Sequence, residues 1–182
     1  MPRIQLPAEP DHSGAQRRVL AAAVAGLRGR VPAPLTAWIA SPEFGDRAQH
    51  LGEFLRYQTS LRPRFSELAI LATARHWSAE YEWFVHKAEA LKTGLEPEII
   101  AAIARGARPE FPDPADAVVY DFARSVHEKH FVAPELYQRA VELLGESGVV
   151  ELVGIIGYYA LVAMTLNVFE IGLPAGAKTE LE

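Results

Sequence analysis

Apolar residues recur every three or four positions along most of this chain, and no segment alternates apolar and polar residues as a half-buried strand does. Three-to-four spacing places the apolar side chains on one face of an α-helix. Glycine and proline separate the periodic segments. The pattern therefore predicts an all-α protein with helices in the segments 15–29, 41–58, 63–77, 78–94, 96–106, 114–130, 136–144 and 149–169.

The punctuation also predicts the domain organisation. Residues 1–14 contain three prolines and few large apolar groups, which indicates an extended N-terminal arm. We expect residues 15–175 to form a single helical domain, because 182 residues suffice for one complete core. Residues 176–182 are predicted to be a C-terminal tail.

The last helical segment is apolar on all sides. No residue between 152 and 169 is charged, but Glu151 and Glu170 flank the run and no adjacent Lys or Arg would orient a membrane span. We interpret it as a helix buried on all sides, most easily between subunits, and not as a membrane helix. A buried Asn167 would need hydrogen-bond partners, either as a structural residue or at the edge of a pocket.

Composition excludes several classes of function. The net charge is −5 and no cluster of Lys or Arg is present, which argues against nucleic-acid binding. The absence of cysteine excludes disulfides, thiolate metal sites and thiol chemistry in these residues. The N-terminal residues lack the apolar core of a signal peptide, so a cytoplasmic location is expected.

Glu67, Glu82 and His86 are the candidate chemical group. Glu82 and His86 are four residues apart and share one face of the predicted 78–94 helix, which begins with Ser78 as a possible N-cap. The apolar side chains fall on the opposite side, at positions 81, 84, 88, 91 and 95. Periodicity alone therefore favours a solvated Glu/His pair over a site. Ala79 and Ala90, however, lie on the polar side and would let another helix approach.

Two blocks of the sequence resemble the carboxymuconolactone decarboxylase family, which includes the alkylhydroperoxidase D proteins. They are residues 66–95, with E-L-A-I-L, E-Y-E-W-x-x-H and G-L, and the closing G-Y-Y-A-L-V-A-M-T-L-N-V-F. In the peroxidase branch a glutamate precedes a C-x-x-C pair by twelve residues, and a histidine follows. Glu67 matches the glutamate and His86 the histidine, while Ala79 and Glu82 occupy the cysteine positions.

The resemblance implies a thiol-free branch and an alkylhydroperoxidase D-like helical bundle that assembles as a homo-trimer or homo-hexamer, with its site at subunit contacts. On this basis the sequence predicts a decarboxylase-like lyase for a small carboxylate or lactone, without cofactor or metal. Glu67, Glu82 and His86 would form a proton relay, in which mutual repulsion raises the pKa of one carboxyl group. Arg75 would bind the substrate carboxylate, while Trp83 and Asn167 would line the pocket.

Two alternatives stay open at this point. Glu82 and His86 have a spacing that suits metal ligation together with His50 or His127, although no complete ligand motif is present. The chain could also be a non-catalytic oligomeric homologue, a binding or structural protein that has lost the redox cysteines.

Overall fold

The computed structural model describes residues 2–181, and every regular element within them is helical, which confirms the all-α prediction. Residues 1 and 182, the ends of the predicted arm and tail, lie outside the described residues. A short 3₁₀ turn, Glu9–Asp11, precedes eight helices. These are α1 (Gly14–Ala25), α2 (Leu35–Trp38), α3 (Pro42–Tyr57), α4 (Pro63–His76), α5 (Glu80–Lys92), α6 (Pro97–Ala104), α7 (Pro114–Lys129) and α8 (Pro134–Val168).

The helix boundaries differ most from the prediction at α1 and α8. Helix α1 ends at Ala25 instead of continuing to residue 29, because extended Gly26 follows it and Gly29 adopts a positive φ of 67°. Helix α8 joins the two predicted C-terminal helices, but Gly145 interrupts it with φ 70° and ψ 168°. The predicted break at Gly145 is therefore present as a kink between two helical stretches.

The chain divides into two compact units. Residues 2–59 and 165–172 form the first, in which the buried Trp38 indole donates to Thr165 over 2.8 Å. Residues 60–164 and 173–181 form the second, which holds α4 to α7 and most of α8. Glu67, Glu82 and His86 all belong to the second unit, so its packing decides whether they meet.

Helix α4 is the central helix of the second unit. Residues 65–74 are buried without interruption, so this helix is enclosed on every side. Glu67 is the single carboxylate in that run, and Thr73 satisfies its buried hydroxyl by donating to the carbonyl of Ala69. Charged residues are rarely buried without a partner. The partners of Glu67 in this enclosed helix therefore indicate its role.

A partly buried ion cluster secures the start of α4. Arg64 donates through Nε and Nη2 to the carboxylate of Asp116, which is completely buried at the start of α7. The same guanidinium reaches Glu96 and the carbonyl oxygen of Gly94, each over 2.5 Å. Three segments are thereby joined through one cation with matched acceptors.

Helix α8 has one exposed side within the single chain, so its burial on all sides, predicted most easily between subunits, stays a prediction. Val150, Val153 and Met164 are 71%, 49% and 39% exposed. By length and composition alone, α8 is apolar enough to cross a membrane, and 56% of its most apolar window is buried. Its exposed apolar side chains form one strip along the helix.

Candidate active site

The turn between α4 and α5 sets the geometry of the site. Ser78 was predicted to cap α5, but it does not. It instead follows the end of α4 in the left-handed region, with φ 47°. The amide of Ser78 donates to Arg75 and that of Ala79 to Ala74, the two hydrogen bonds of a Schellman motif. Helix α5 then starts at Glu80, with Ala79 as an N-cap that has no side-chain acceptor.

The buried face of α5 is the one that periodicity assigned to solvent. Glu82 and His86 are only 2% and 4% exposed, whereas Phe84 and Leu91 are 42% and 43% exposed. The interpretation as a solvated Glu/His pair is therefore wrong. The reason lies in the small residues on the same face: Ala79 and Ala90 are both completely buried, which lets α4 approach the helix backbone.

Glu67 and His86 meet across the two helices. The Nδ1 atom of His86 lies 2.7 Å from Oε2 of Glu67, and both side chains are buried. The ring of Tyr159, from α8, contacts the imidazole edge-on at 4.8 Å between centroids. The carboxylate holds the imidazole in one orientation. When Nδ1 donates to it, Nε2 is the nitrogen left to accept or exchange a proton.

Glu82 is buried without a hydrogen-bond partner. Neither of its carboxyl oxygens has one among residues 2–181. A glutamate at the third position of a helix ordinarily accepts the N-cap amide, but here the amide of Ala79 already donates to Ala74. The Glu82 side chain is thus enclosed in the first turn with nothing to bind.

Burial raises the pKa of Glu82 well above its ordinary value. The positive end of the helix dipole opposes this effect, but by only about 0.3–1 kcal/mol, whereas the penalty for burying an unpaired carboxylate is several kcal/mol. Burial therefore decides the protonation state. One carboxyl group has the raised pKa that the sequence led us to expect, but its cause is desolvation and not repulsion by Glu67.

The predicted substrate-binding residues have different surroundings. Arg75 donates to Ser78 over 3.4 Å and lines a cavity of about 220 Å³ together with the stacked rings of His76 and His127. Trp83 is 1% exposed and lines another cavity, of about 610 Å³. Asn167 is exposed within the single chain, in the first unit, so its predicted burial stays a prediction.

Three features near these residues had no signal in the sequence. They are the contact of Tyr159 with His86, the His76–His127 stack at 4.5 Å, and the approach of Glu180 to Trp83. Burial and the neighbouring imidazole lower the pKa of His127 to about 4, and its Nε2 lies 2.9 Å from the Thr73 hydroxyl. Each of these three contacts joins residues far apart in sequence, so local periodicity could not indicate it.

The metal alternative finds no set of ligands. Among residues 2–181, no group of three or more His, Cys, Asp or Glu side chains is placed to hold a metal ion. His50 instead lies 2.8 Å from the carbonyl oxygen of Asp46, one turn earlier in α3. His127 is engaged with Thr73 and His76.

Comparison with known proteins supports the resemblance found in the sequence. Residues 42–123 match the model of the carboxymuconolactone decarboxylase family, which spans α3 to the middle of α7 and includes Glu67, Glu82 and His86. No curated protein matches the chain.

Solved structures with the same fold cover nearly the whole chain. An uncharacterized peroxidase-related protein from Silicibacter sp. TM1040 has a TM-score of 0.77 at 14% identity, covering 100% of this chain and 96% of its own. An alkylhydroperoxidase AhpD core protein from Ralstonia eutropha JMP134 has a TM-score of 0.77 at 16% identity, with 96% and 93% covered. The debrominase Bmp8, solved with 2,3,4-tribromopyrrole, has a TM-score of 0.72 at 13% identity, with 94% and 91% covered. At these identities the likeness establishes the fold, which is alkylhydroperoxidase D-like.

Proposed function

We propose that this chain, whose residues 42–123 match the carboxymuconolactone decarboxylase family, is a decarboxylase-like acid–base enzyme for a small carboxylate or lactone. The observation that carries the proposal is Glu82, a buried carboxyl group without a hydrogen-bond partner, one helical turn from His86. A buried acid with a raised pKa is costly to the fold and typical of catalytic sites. Because the sequence contains no cysteine, thiol-dependent peroxide chemistry is not part of the proposal.

The proposed roles follow from the contacts. Glu82 is the general acid, because burial raises its pKa and so favours the protonated form. His86 exchanges protons through Nε2, since its Nδ1 is engaged by Glu67. Glu67 is a positioning residue that fixes the imidazole, as the carboxylate does in a catalytic triad. Arg75 and Trp83 line separate cavities, so the substrate-binding roles of Arg75, Trp83 and Asn167 stay predictions.

In the proposed reaction, the bond between the substrate and its carboxylate carbon breaks and carbon dioxide leaves. The bonding electron pair passes into the conjugated carbonyl group and forms an enolate. Glu82 delivers its proton to the enolate carbon, and His86 relays a replacement proton from solvent to Glu82. A dry site strengthens the interaction of these groups with the developing charge.

The test is carbon dioxide release by metal-free purified protein, supplied with 4-carboxymuconolactone and with a series of β-keto acids. Replacing Glu82 by Gln keeps the shape but removes the proton, so we expect the rate to fall about 10²–10⁴-fold. His86→Gln should fall comparably and Glu67→Gln less, because Glu67 acts through the imidazole. The rate of the wild type should decline as pH rises through the raised pKa of Glu82.

Glu89→Gln is the matched control, since Glu89 lies on the same helix but is half-buried and paired with Lys92. It should leave the rate unchanged. Turnover that survives both Glu82→Gln and His86→Gln would remove the proposed relay. Absence of turnover on every substrate would instead favour the alternative, a non-catalytic oligomeric binding homologue.

We also propose that the chain is a cytoplasmic homo-trimer or homo-hexamer. The exposed apolar strip of α8, with Val150, Val153 and Met164, supports self-association, because exposed apolar surface commonly marks an interface. Light scattering coupled to size-exclusion chromatography measures the mass. A monomer at micromolar concentration would contradict this part of the proposal.

A further inference from the structure

A groove runs between α5, α6 and the segment 173–181 of the second unit. It encloses about 610 Å³, a volume within the range of small-molecule sites. We name it the carboxylate groove. Among residues 2–181, the charged side chains that line it are Lys87, Arg105 and Glu180. Its apolar wall is formed by Leu91, Pro97, Ile100, Ala101 and Ala104.

A carboxylate from the chain itself occupies the polar end of the groove. Oε2 of Glu180 accepts from Nζ of Lys87 over 2.5 Å and from the indole nitrogen of Trp83 over 3.4 Å. The Trp83 side chain is almost fully buried, so its N–H depends on an acceptor at this position. Lys87 and Trp83 therefore form a receptor for one carboxylate oxygen.

The segment that carries Glu180 is held by other groups. Both carboxylate oxygens of Glu80 accept backbone amides, from Glu180 over 2.9 Å and from Leu181 over 2.8 Å. Leu181 is itself buried, at 5% exposure. Because the backbone is fixed by Glu80 and Leu181, the Glu180 side chain can leave Lys87 without release of the segment.

We propose that the carboxylate groove binds an apolar monocarboxylic acid, whose carboxylate replaces that of Glu180 on Lys87 and Trp83 while its apolar part lies along α6. When Glu180 swings out, the charged side chains of residues 2–181 that still line the groove are Lys87 and Arg105, which favours an anionic head group. Glu180 is then a built-in competitor that the ligand must displace.

The exposures of the two charged side chains make this exchange feasible. Lys87 and Glu180 are 36% and 39% exposed, so their ion pair is screened by water and weak. The wall beyond them is apolar. A ligand that covers this wall gains free energy from burying apolar surface, which the Glu180 side chain, with only two methylene groups, cannot do. The residues involved lie on the 83/87/91 stripe of α5, beside the 82/86/90 stripe that holds Glu82 and His86. The inference does not rest on the proposed acid–base function.

The test measures the binding of decanoate to the full chain. Calorimetry gives the affinity, and the Trp83 indole signal in ¹H–¹⁵N spectra reports binding at the groove. That signal is assigned with Trp83→Phe, since the chain has three tryptophans. We expect Glu180→Gln to bind decanoate about 2–5-fold more tightly, because it removes the competing charge, and Lys87→Met to bind it about 5-fold more weakly. Decanol, which lacks the carboxylate, should bind more weakly than decanoate.

Lys92→Met is the matched control, because Lys92 lies on the same helix but outside the groove and pairs with Glu89. It should bind decanoate as the wild type does. The proposal is overturned if decanoate binds neither the wild type nor Glu180→Gln, or if decanol binds as tightly as decanoate. It is equally overturned if Lys87→Met leaves the affinity unchanged, and Glu180 would then be a structural latch only.

Discussion

Asp116 and Glu82 are both buried carboxyl groups of the second unit, but their surroundings are opposite. Asp116 accepts three hydrogen bonds from Arg64, and the same guanidinium is shared with Glu96 and Gly94. Glu82 has no partner among the described residues. A matched buried charge joins helices, whereas an unmatched one weakens the fold, so the contrast separates a structural carboxylate from a candidate catalytic one.

The largest expected effect on the free energy of unfolding comes from disrupting the Arg64–Asp116 ion cluster. Asp116→Ala leaves the Arg64 guanidinium partly buried with only Glu96 and Gly94, so we expect a loss of about 3–5 kcal/mol in the free energy of unfolding. Urea denaturation followed by circular dichroism measures it. A loss below 1 kcal/mol would mean that the cluster does not hold α4 to α7.

Glu82→Gln should change stability in the opposite direction. The folded-state pKa of Glu82 is raised above its unfolded value of about 4.5, so wild-type stability is complete below that pH and declines as the pH rises. Glutamine does not ionise, so we expect the variant to be about 1–3 kcal/mol more stable than the wild type at pH 8.

The advantage of Glu82→Gln should vanish near pH 4, where the wild-type carboxyl group is protonated in both states. Paired urea denaturation curves of the two proteins at pH 4 and pH 8 provide the measurement. An equal stability difference between variant and wild type at both pH values would contradict the burial of an ionisable Glu82. The contrast between Glu82 and Asp116 would then be lost.

His127 lies between these two cases, because its ring is partly buried and has a hydrogen-bond partner in Thr73. It therefore tests whether the pH dependence of stability is intermediate as well. Its folded-state pKa of about 4 lies below the unfolded value of 6.5, so stability should decrease as the pH falls between those values. Since the ring is partly exposed, we expect a loss of at most about 2 kcal/mol. His127→Gln, which can still bind Thr73, should flatten the profile in thermal unfolding, and unchanged slopes would contradict the prediction.

The smallest effect should come from the exposed counterpart of the Arg64 cluster. Arg108 binds both oxygens of Asp121 over 2.8 Å, but the two side chains are 47% and 30% exposed. We expect Asp121→Ala to cost about 0–1 kcal/mol, because water replaces the lost contact. A loss as large as that of Asp116→Ala would show that bidentate geometry, and not burial, determines the strength of these pairs.

Several local features could be predicted from the sequence because neighbouring residues determine them. The spacing of apolar residues located the helices, and Gly145 and the proline-rich segments marked their breaks. Asp113 caps α7 through the amide of Ala115, as Asp-Pro at a helix start predicts. The absence of cysteine excluded thiol chemistry directly.

The burial of the site was decided by tertiary structure. Hydrophobicity along α5 pointed Phe84 and Leu91 inward and Glu82 outward, and packing reversed both, because Ala79 and Ala90 let the enclosed helix α4 approach on the polar side. A helical wheel ranks faces by apolar content, but close approach depends on the size of the side chains.

The candidate group therefore has two origins. The sequence by itself determined that Glu82 and His86 share a helix face, since four residues complete about one turn. Only the tertiary structure brought Glu67 to His86 across nineteen residues and Glu180 to Lys87 across ninety-three. Contacts over such separations arise from helix packing and chain return, which no local pattern encodes.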